Sequence, residues 1–461
     1  MPFTYQDALD YLYGLINYEV QRPSRYAPDV VSLDRPRALM AALGNPQERY
    51  PSLHLTGTKG KGSVSAMCAS ILQASGLRVG LYSSPHLQDF RERFRINGQM
   101  IDPDLLTRLV EQVQPAVAQV EGLTWFEVVT ALAFMAFAEL KVDIAVIEVG
   151  LGGRLDATNI LRAPLVTTIT SLSYDHTHLL GNTLSDIAYE KAGIFKPKVP
   201  AVTAPQEQTA LTVIRRIAEE QCAPLTVVGQ DVQFSPGEAN QFGQTFSYGP
   251  SQDTALPTFW TPLIGRHQAV NGAVALTMMH LLRQQGYSIP DHALRTGLAQ
   301  VNWAGRLEVV RRTPHYLILD SAHNADSAER LRDALRVFRQ PARRQVLLFG
   351  AFSDKDVRGM FRALLPETTQ LVLMQAMSPR AFSTDQLAVL ARESGFSGEI
   401  HAFPSASEAL RCAETLAQTG DVICATGSLS VVGELRTVLG LAPAHAAYLD
   451  EQTVQNLQAQ A

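Results

Sequence analysis

The chain has 461 residues, 46% of them apolar and 18% charged, with a formal net charge of -5. At roughly 100 to 200 residues per domain this length predicts two large domains, and the ordinary apolar share allows each a sizeable core. The slight negative charge, with no compensating lysine or arginine cluster, excludes nucleic acid and anionic membrane as expected partners. Cys68, Cys222, Cys412 and Cys424 are widely spaced and form no C-x-x-C pair. That argues against a zinc site or disulfide framework and fits a cytoplasmic protein. The N-terminus lacks the basic start and apolar run of a signal peptide.

A short apolar run at 53–55, then Thr56-Gly57-Thr58-Lys59-Gly60-Lys61-Gly62-Ser63, then an apolar-periodic segment at 64–74, predict a strand, a phosphate loop and a helix. Glycines let successive N–H groups face phosphate oxygens, a lysine neutralises the β/γ-phosphates, and a hydroxyl at the helix start can hold Mg²⁺. The chain is therefore expected to bind ATP. The strict G-x-x-x-x-G-K-[ST] pattern is not met, because Gly62 separates Lys61 from Ser63 and no glycine lies five residues before Gly60.

The strand predicted at 78–82 runs into Tyr82-Ser83-Ser84-Pro85-His86-Leu87, where the serines and His86, taken alone, fit turn formation better than function. Residues 128–140 are the most apolar segment, but Thr130 and Glu139 interrupt it and it is shorter than the roughly 20 residues that span a bilayer, so it reads as a buried helix. The next strand, 144–149, ends in Glu148-Val149-Gly150-Leu151-Gly152-Gly153-Arg154-Leu155-Asp156. A carboxylate at the end of an apolar strand is costly to bury alone, and a metal would supply its partner. The glycines permit close approach of a ligand, and Arg154 and Asp156 add charge; a plain turn with a surface ion pair is the bland alternative.

After a strand at 166–169 come Ser173-Tyr174-Asp175-His176-Thr177-His178 and, on the following helix, Tyr189-Glu190-Lys191-Ala192-Gly193-Ile194. Asp175 and His176 could join Glu148 around a hard metal, although Mg²⁺ keeps several waters and few protein ligands; Lys191 reads equally well as a surface lysine. A strand at 199–203 precedes a change to alternating, Gly- and Pro-punctuated sequence over 227–260, read as a small antiparallel insert. Helices at 267–285 and 291–299 close a first domain, 1–300, whose pattern of apolar strands between helices predicts a mostly parallel sheet covered on both faces.

Trp303-Ala304-Gly305-Arg306 reads as a connection to a second, smaller Rossmann-like α/β domain, 301–441. Its strands are expected at 316–319, 345–349, 371–375 and 422–426, and its helices at 327–338, 360–365, 384–394 and 406–418. No G-x-G-x-x-G follows its first strand, so dinucleotide binding is not indicated. That strand ends at Asp320-Ser321-Ala322-His323-Asn324-Ala325, where Asp320 or Asn324 could merely cap the next helix. Ser428 opens a late helix and is a candidate for a substrate carboxylate. Residues 442–461 read as a loose tail.

Together, residues 57–63, 83–87, 148–159, 175–177, 190–194, 267–271, 305–308 and 320–324 closely resemble the folylpolyglutamate synthase and dihydrofolate synthase family of the Mur ligase superfamily, over nearly the whole chain. The resemblance implies an α/β fold with a P-loop mononucleotide-binding domain and a C-terminal glutamate ligase domain. It implies ATP phosphates on Gly57, Thr58, Lys59, Gly60, Lys61, Gly62 and Ser63, one Mg²⁺ held by Ser63, Ser84 and Glu148, and a second held by His176. Lys191 matches a position that is often carbamylated in such ligases. Asn271, Arg306 and Asp320 would contact the nucleotide, with His323 near the transferring phosphate and Ser428 near incoming L-glutamate. Phe126, Arg154 and Asp156 would shape the pocket for folate or dihydropteroate, in a chain expected to be monomeric. Two departures stand out: Lys59 where the family often has asparagine, and Ser321 and Ala325 where it often has glycine and proline.

Overall fold

The computed structural model describes residues 2–17, 31–250, 255–338 and 344–442. The expected tail lies outside them from residue 443 onward. Among the described residues, one sheet contains β1 (Ser52–Thr56), β2 (Val79–Tyr82), β3 (Phe94–Ile96), β4 (Gln99–Met100), β5 (Ile144–Glu148), β6 (Val166–Ile169), β7 (Ala201–Thr203) and β8 (Leu225–Val227), in the order β4-β3-β2-β5-β1-β6-β7-β8. All neighbours are parallel except the β2-β3 and β3-β4 pairs.

Every residue of β1, β2, β5 and β6 is buried, including the polar Ser52, His54, Thr56, Thr167 and Thr168, so these strands show no alternation of buried and exposed positions. Helices Lys61–Ala74, Arg266–Gln284 and Asp291–Gln300 build the core on one face; Tyr5–Tyr13, Pro103–Val117 and Trp125–Glu139 build it on the other. The apolar segment expected as a buried helix is Trp125–Glu139, and no helix among the described residues is long and apolar enough to cross a membrane.

The insert is a three-stranded antiparallel sheet of β9 (Val232–Asn240), β10 (Gly243–Pro250) and β11 (Thr258–Thr261), in the order β11-β10-β9. The remaining strands, β12 (Glu308–Arg311), β13 (Tyr316–Leu319), β14 (Gln345–Phe349), β15 (Gln370–Met374), β16 (Ile400–Phe403) and β17 (Val422–Thr426), form a second sheet ordered β12-β13-β17-β14-β15-β16. Only β12 runs antiparallel to its neighbour, and apolar cores lie on both faces.

Strands β3, β4, β8, β12 and β16 were not foreseen, and all sit at or next to a sheet edge. Their residues are mostly half-buried or exposed, so no continuous apolar run marks them. In the first sheet β1 lies between β5 and β6, so the loops after these three strands open at one carboxyl-end crevice, where open parallel sheets bind ligands.

Candidate active site

The phosphate loop leaves β1 through Gly57 at φ +150° and turns into helix Lys61–Ala74 through Gly60 at φ +91°, both conformations that side chains resist. A Cβ on Gly57 would run into the Thr170 hydroxyl, and one on Gly60 into Asn271 Oδ1. The amides of Thr58 and Lys59 both donate to Ser171 O at 3.0 Å, which turns them away from the cleft. The anion-facing donors therefore begin at Gly60, where the helix's first N–H groups have no intrahelical acceptor and the helix dipole favours negative charge.

Helix Arg266–Gln284 supports this loop. Asn271 Nδ2 donates to Gln268 Oε1 at 2.9 Å, and Gln268 Nε2 reaches the Ser63 hydroxyl at 3.4 Å. The Asn271 amide thus fixes the Gln268 amide, which in turn orients Ser63.

Glu148, at the end of β5, is 3% exposed and accepts from the Ser84 amide at 3.3 Å. Burial raises its pKa, against the opposing pull of Lys61, the Ser84 amide and Arg306. Lys61, Ser63 and Ser84 line the same cleft, so a buried carboxylate and two hydroxyls converge on the phosphate loop. This hard, oxygen-only donor set suits Mg²⁺, which takes one or two protein ligands beside water and phosphate oxygens. Among the described residues no group of three or more His, Cys, Asp or Glu could hold a metal by itself.

Across the loop, Lys59 Nζ stands 3.4 Å from Asp175 Oδ2. Burial would raise the Asp175 pKa, yet the charges of Lys59, His176 and His323 hold it well below the usual carboxylate range. His176 has a left-handed backbone (φ 49°), and its pKa falls to about 4, mainly through burial, so the imidazole is neutral and keeps a ring lone pair for a ligand. Lys191 is no surface lysine: it is 4% exposed and donates from Nζ to Gly57 O at 2.9 Å. Burial, then repulsion from Lys61, bring its pKa down to about 7.

The second sheet supplies the facing wall. Asp320, at the end of β13, accepts from Leu307 N at 2.8 Å and Ala322 N at 2.9 Å, and burial raises its pKa. Asn324 is the residue that caps the next helix, accepting from Ser327 N at 3.0 Å, which leaves Asp320 for the cleft. Ser321 takes an ordinary backbone conformation, and its hydroxyl donates to Gly305 O at 2.9 Å while accepting from Arg306. The serine that replaces the expected glycine thus anchors Arg306. His323 Nδ1 lies 3.0 Å from Ser321 O; a carbonyl can only accept, so Nδ1 carries the hydrogen and Nε2 keeps its lone pair. Burial lowers the His323 pKa to about 4.

The cleft encloses about 270 Å³ and is lined by Gly57 through Ser63, Ser84, Glu148, His176, Lys191, Asn271, Arg306, Asp320 and His323. Phe126, Arg154, Asp156 and Ser428 are not among its lining residues. The Asp156 carboxylate accepts from Gly150 N, Leu151 N, Thr158 N and Thr158 Oγ1 at 2.5 to 3.1 Å, so it pins the loop after β5. Arg154 is paired with Glu190 through two hydrogen bonds at 2.8 and 3.1 Å. Phe126 packs against Gly150, and the Ser428 hydroxyl, 2% exposed, caps helix Leu429–Val438. His86 is structural as well: its Nδ1 accepts from the buried Arg93 at 3.0 Å.

Two residues were given no role from the sequence. Gln268 lies within the 267–271 motif, but its link to Ser63 depends on how two helices pack. Lys355, in the loop after β14, is close enough for its charge to act on Asp175, His176 and His323. Its position just past a strand's carboxyl end was the signal available.

Residues 55–279 match the Mur ligase middle domain and residues 305–429 the Mur ligase, glutamate ligase domain. The dihydrofolate synthase/folylpolyglutamate synthase of Bacillus subtilis is 35% identical over 439 residues, covering 94% of this chain and 98% of that protein. The chain belongs to the dihydrofolate synthase/folylpolyglutamate synthase family. Among solved members, Mycobacterium tuberculosis folylpolyglutamate synthase complexed with ADP and AMPPCP superposes with a TM-score of 0.83 at 32% identity, over 95% of this chain and 100% of that one. Escherichia coli FolC in complex with DHPP and ADP gives a TM-score of 0.82 at 29% identity, over 95% and 98%. The resemblance carried by the eight motifs is thus a family membership, and the mixed α/β fold is that of the folylpolyglutamate synthases.

Proposed function

We propose that this protein uses ATP to join L-glutamate to the carboxylate of a pteroyl substrate, adding the first residue to dihydropteroate and later ones to folates. The observation that carries this reading is one cleft with a phosphate loop on one wall and Arg306, Asp320 and His323 on the other. A carboxylate is a poor electrophile. Transfer of the γ-phosphoryl group to its oxygen gives an acyl phosphate and ADP; the neutral amine of glutamate attacks the acyl carbon, and phosphate leaves as the amide forms. Phosphoryl transfer of this kind relies on positioning and charge stabilisation.

In this reading the amides from Gly60 to Ser63 and the Lys61 ammonium hold the phosphates, and Asn271, Arg306 and Asp320 hold the nucleotide across the cleft. Ser63, Ser84 and Glu148 would hold one Mg²⁺ and His176 a second. Such an ion neutralises phosphate charge as it shifts during transfer. Carbamylation of Lys191 would turn a buried amine into an anion beside His176. The neutral His323 keeps its Nε2 lone pair toward the cleft as a proton acceptor. Lys355 and the N-terminus of helix Leu429–Val438, capped by Ser428, supply positive charge for the carboxylates of glutamate. Phe126 and the loop pinned by Asp156, with Arg154, border the pteroyl side. The two sheets divide the chain near residue 300, and closing them together would keep water from the acyl phosphate. The protein works as a cytoplasmic monomer.

ADP release measured with glutamate and either dihydropteroate or tetrahydrofolate tests the reading. Release with both acceptors is expected; release with neither would contradict it, and release with one would narrow it to that acceptor.

A further inference from the structure

Gly62 follows Lys61 in the first turn of helix Lys61–Ala74. Unlike Gly57 and Gly60 it has no positive φ, so its backbone does not call for glycine, and glycine is a poor helix former. The cause lies opposite it. A Cβ on Gly62 would stand 3.0, 3.1 and 3.2 Å from Cζ2, Nε1 and Cε2 of Trp303. A side chain there would need the indole to give by a few tenths of an ångström, and the ring's other neighbours include Arg95, whose guanidinium carbon is 5.6 Å from the ring centroid.

Trp303 belongs to the short connection between helix Asp291–Gln300 and β12, that is, between the two sheets. Two residues on, this connection is fastened to the second sheet: Ser321 N donates to Gly305 O at 3.0 Å, Arg306 donates to the Ser321 hydroxyl, and Leu307 N donates to Asp320 at 2.8 Å. One end is keyed to the phosphate-loop helix and the other to the loop that carries Asp320.

We propose that Trp303 is a positioning residue that, packed against Gly62, sets the phosphate loop and the facing Arg306 and Asp320 in register, and that the glycine after Lys61 exists to receive its indole. The proposal rests on reading residues 57–63 as a phosphate loop and deepens it. Phosphates bound at the first turn fix Gly62; through the indole, the same contact fixes where the connection delivers Arg306. A side chain at position 62 would push the two apart even with Lys61 and Ser63 intact.

The test is a double-mutant cycle read as ADP affinity by calorimetry, with Gly62→Ala, Trp303→Leu and the pair. Overpacking against the indole is expected to weaken ADP about tenfold or more for Gly62→Ala alone, and less than about threefold when Leu stands at 303. An equal cost in both backgrounds, or no cost in the wild type, overturns the proposal. An indole that merely supports the fold would lower the melting temperature without making the cost of the added methyl depend on residue 303. Should Gly62→Ala fail to fold, fluorescence decides. The chain has three tryptophans, and an ADP-induced change present in the wild type and lost in Trp303→Phe supports the coupling, whereas the same change in both overturns it. ADP binding does not depend on the acceptor, so failure here leaves glutamate ligation standing; a wild type that binds no ADP overturns the phosphate-loop reading and the proposal with it.

Discussion

Lys191 donates a 2.9 Å hydrogen bond from Nζ to the carbonyl oxygen of Gly57, tying helix Leu184–Ala192 to the start of the phosphate loop. The same burial that fixes this contact lowers the lysine pKa to about 7, against about 10.4 for a free side chain. Near neutrality much of the amine is therefore uncharged and able to add CO₂, losing one proton and keeping one N–H for Gly57. Occupancy at fixed dissolved CO₂ should rise from about pH 6 to about pH 8 as the free amine grows. We expect intact-mass spectra of the native protein to show one added CO₂, and turnover to fall when CO₂ is stripped and recover with bicarbonate. Turnover indifferent to CO₂, with no adduct, would remove Lys191 from this role.

Lys61 begins helix Lys61–Ala74 and faces Glu148 across the cleft. Replacing it with alanine removes the cation proposed to meet the ATP phosphates and leaves the core untouched. Glutamate-dependent ADP release should drop by about a thousandfold, with the melting temperature essentially held. Near-normal turnover of Lys61→Ala would exclude it from phosphate stabilisation.

How much could be read in advance follows from where each signal resides. Glu148 was legible because a carboxylate ending an apolar strand is anomalous in the sequence itself, and β5 and β13 were legible because full burial there writes itself as an apolar run. Edge strands such as β12 and β16 carry no such run. The resemblance puts Asp156 on the pteroyl side; the four donors its carboxylate accepts from, three of them backbone amides, appear only when the loop is folded. Gln268 and Lys355 gain meaning from neighbours more than a hundred residues away, Ser63 for one and Asp175 and His176 for the other.

Lys355 supplies a direct test of the glutamate side. Its charge acts on His176 and on His323 of the second domain, beside the place proposed for the carboxylates of the incoming amino acid. Lys355→Ala should raise the KM for glutamate about tenfold while moving the KM for ATP far less. A rise confined to ATP would place this lysine on the nucleotide instead.

Glu434 is expected to make the stability of the second domain depend on pH. It is 5% exposed, accepts one hydrogen bond from Met377 N at 2.8 Å, and burial pushes its pKa from 4.5 up to about 7. A carboxyl raised in the folded state favours the protonated fold, so its contribution is complete below pH 4.5 and is lost as pH rises through about 7. Glu434→Gln keeps the acceptor and removes the charge. It should match the wild type near pH 4.5 and exceed it by about 1–3 kcal/mol near pH 8 in urea unfolding. Parallel curves at the two pH values would show that another group titrates.

The proposed acyl phosphate would draw on both walls of the cleft, and oxygen isotope transfer reads its formation directly. A folate whose terminal carboxylates carry ¹⁸O is turned over with ATP and glutamate, and the released phosphate is weighed. One labelled oxygen in phosphate for each amide formed is the expected result. Amide formed while the phosphate stays unlabelled would contradict activation through an acyl phosphate at this site.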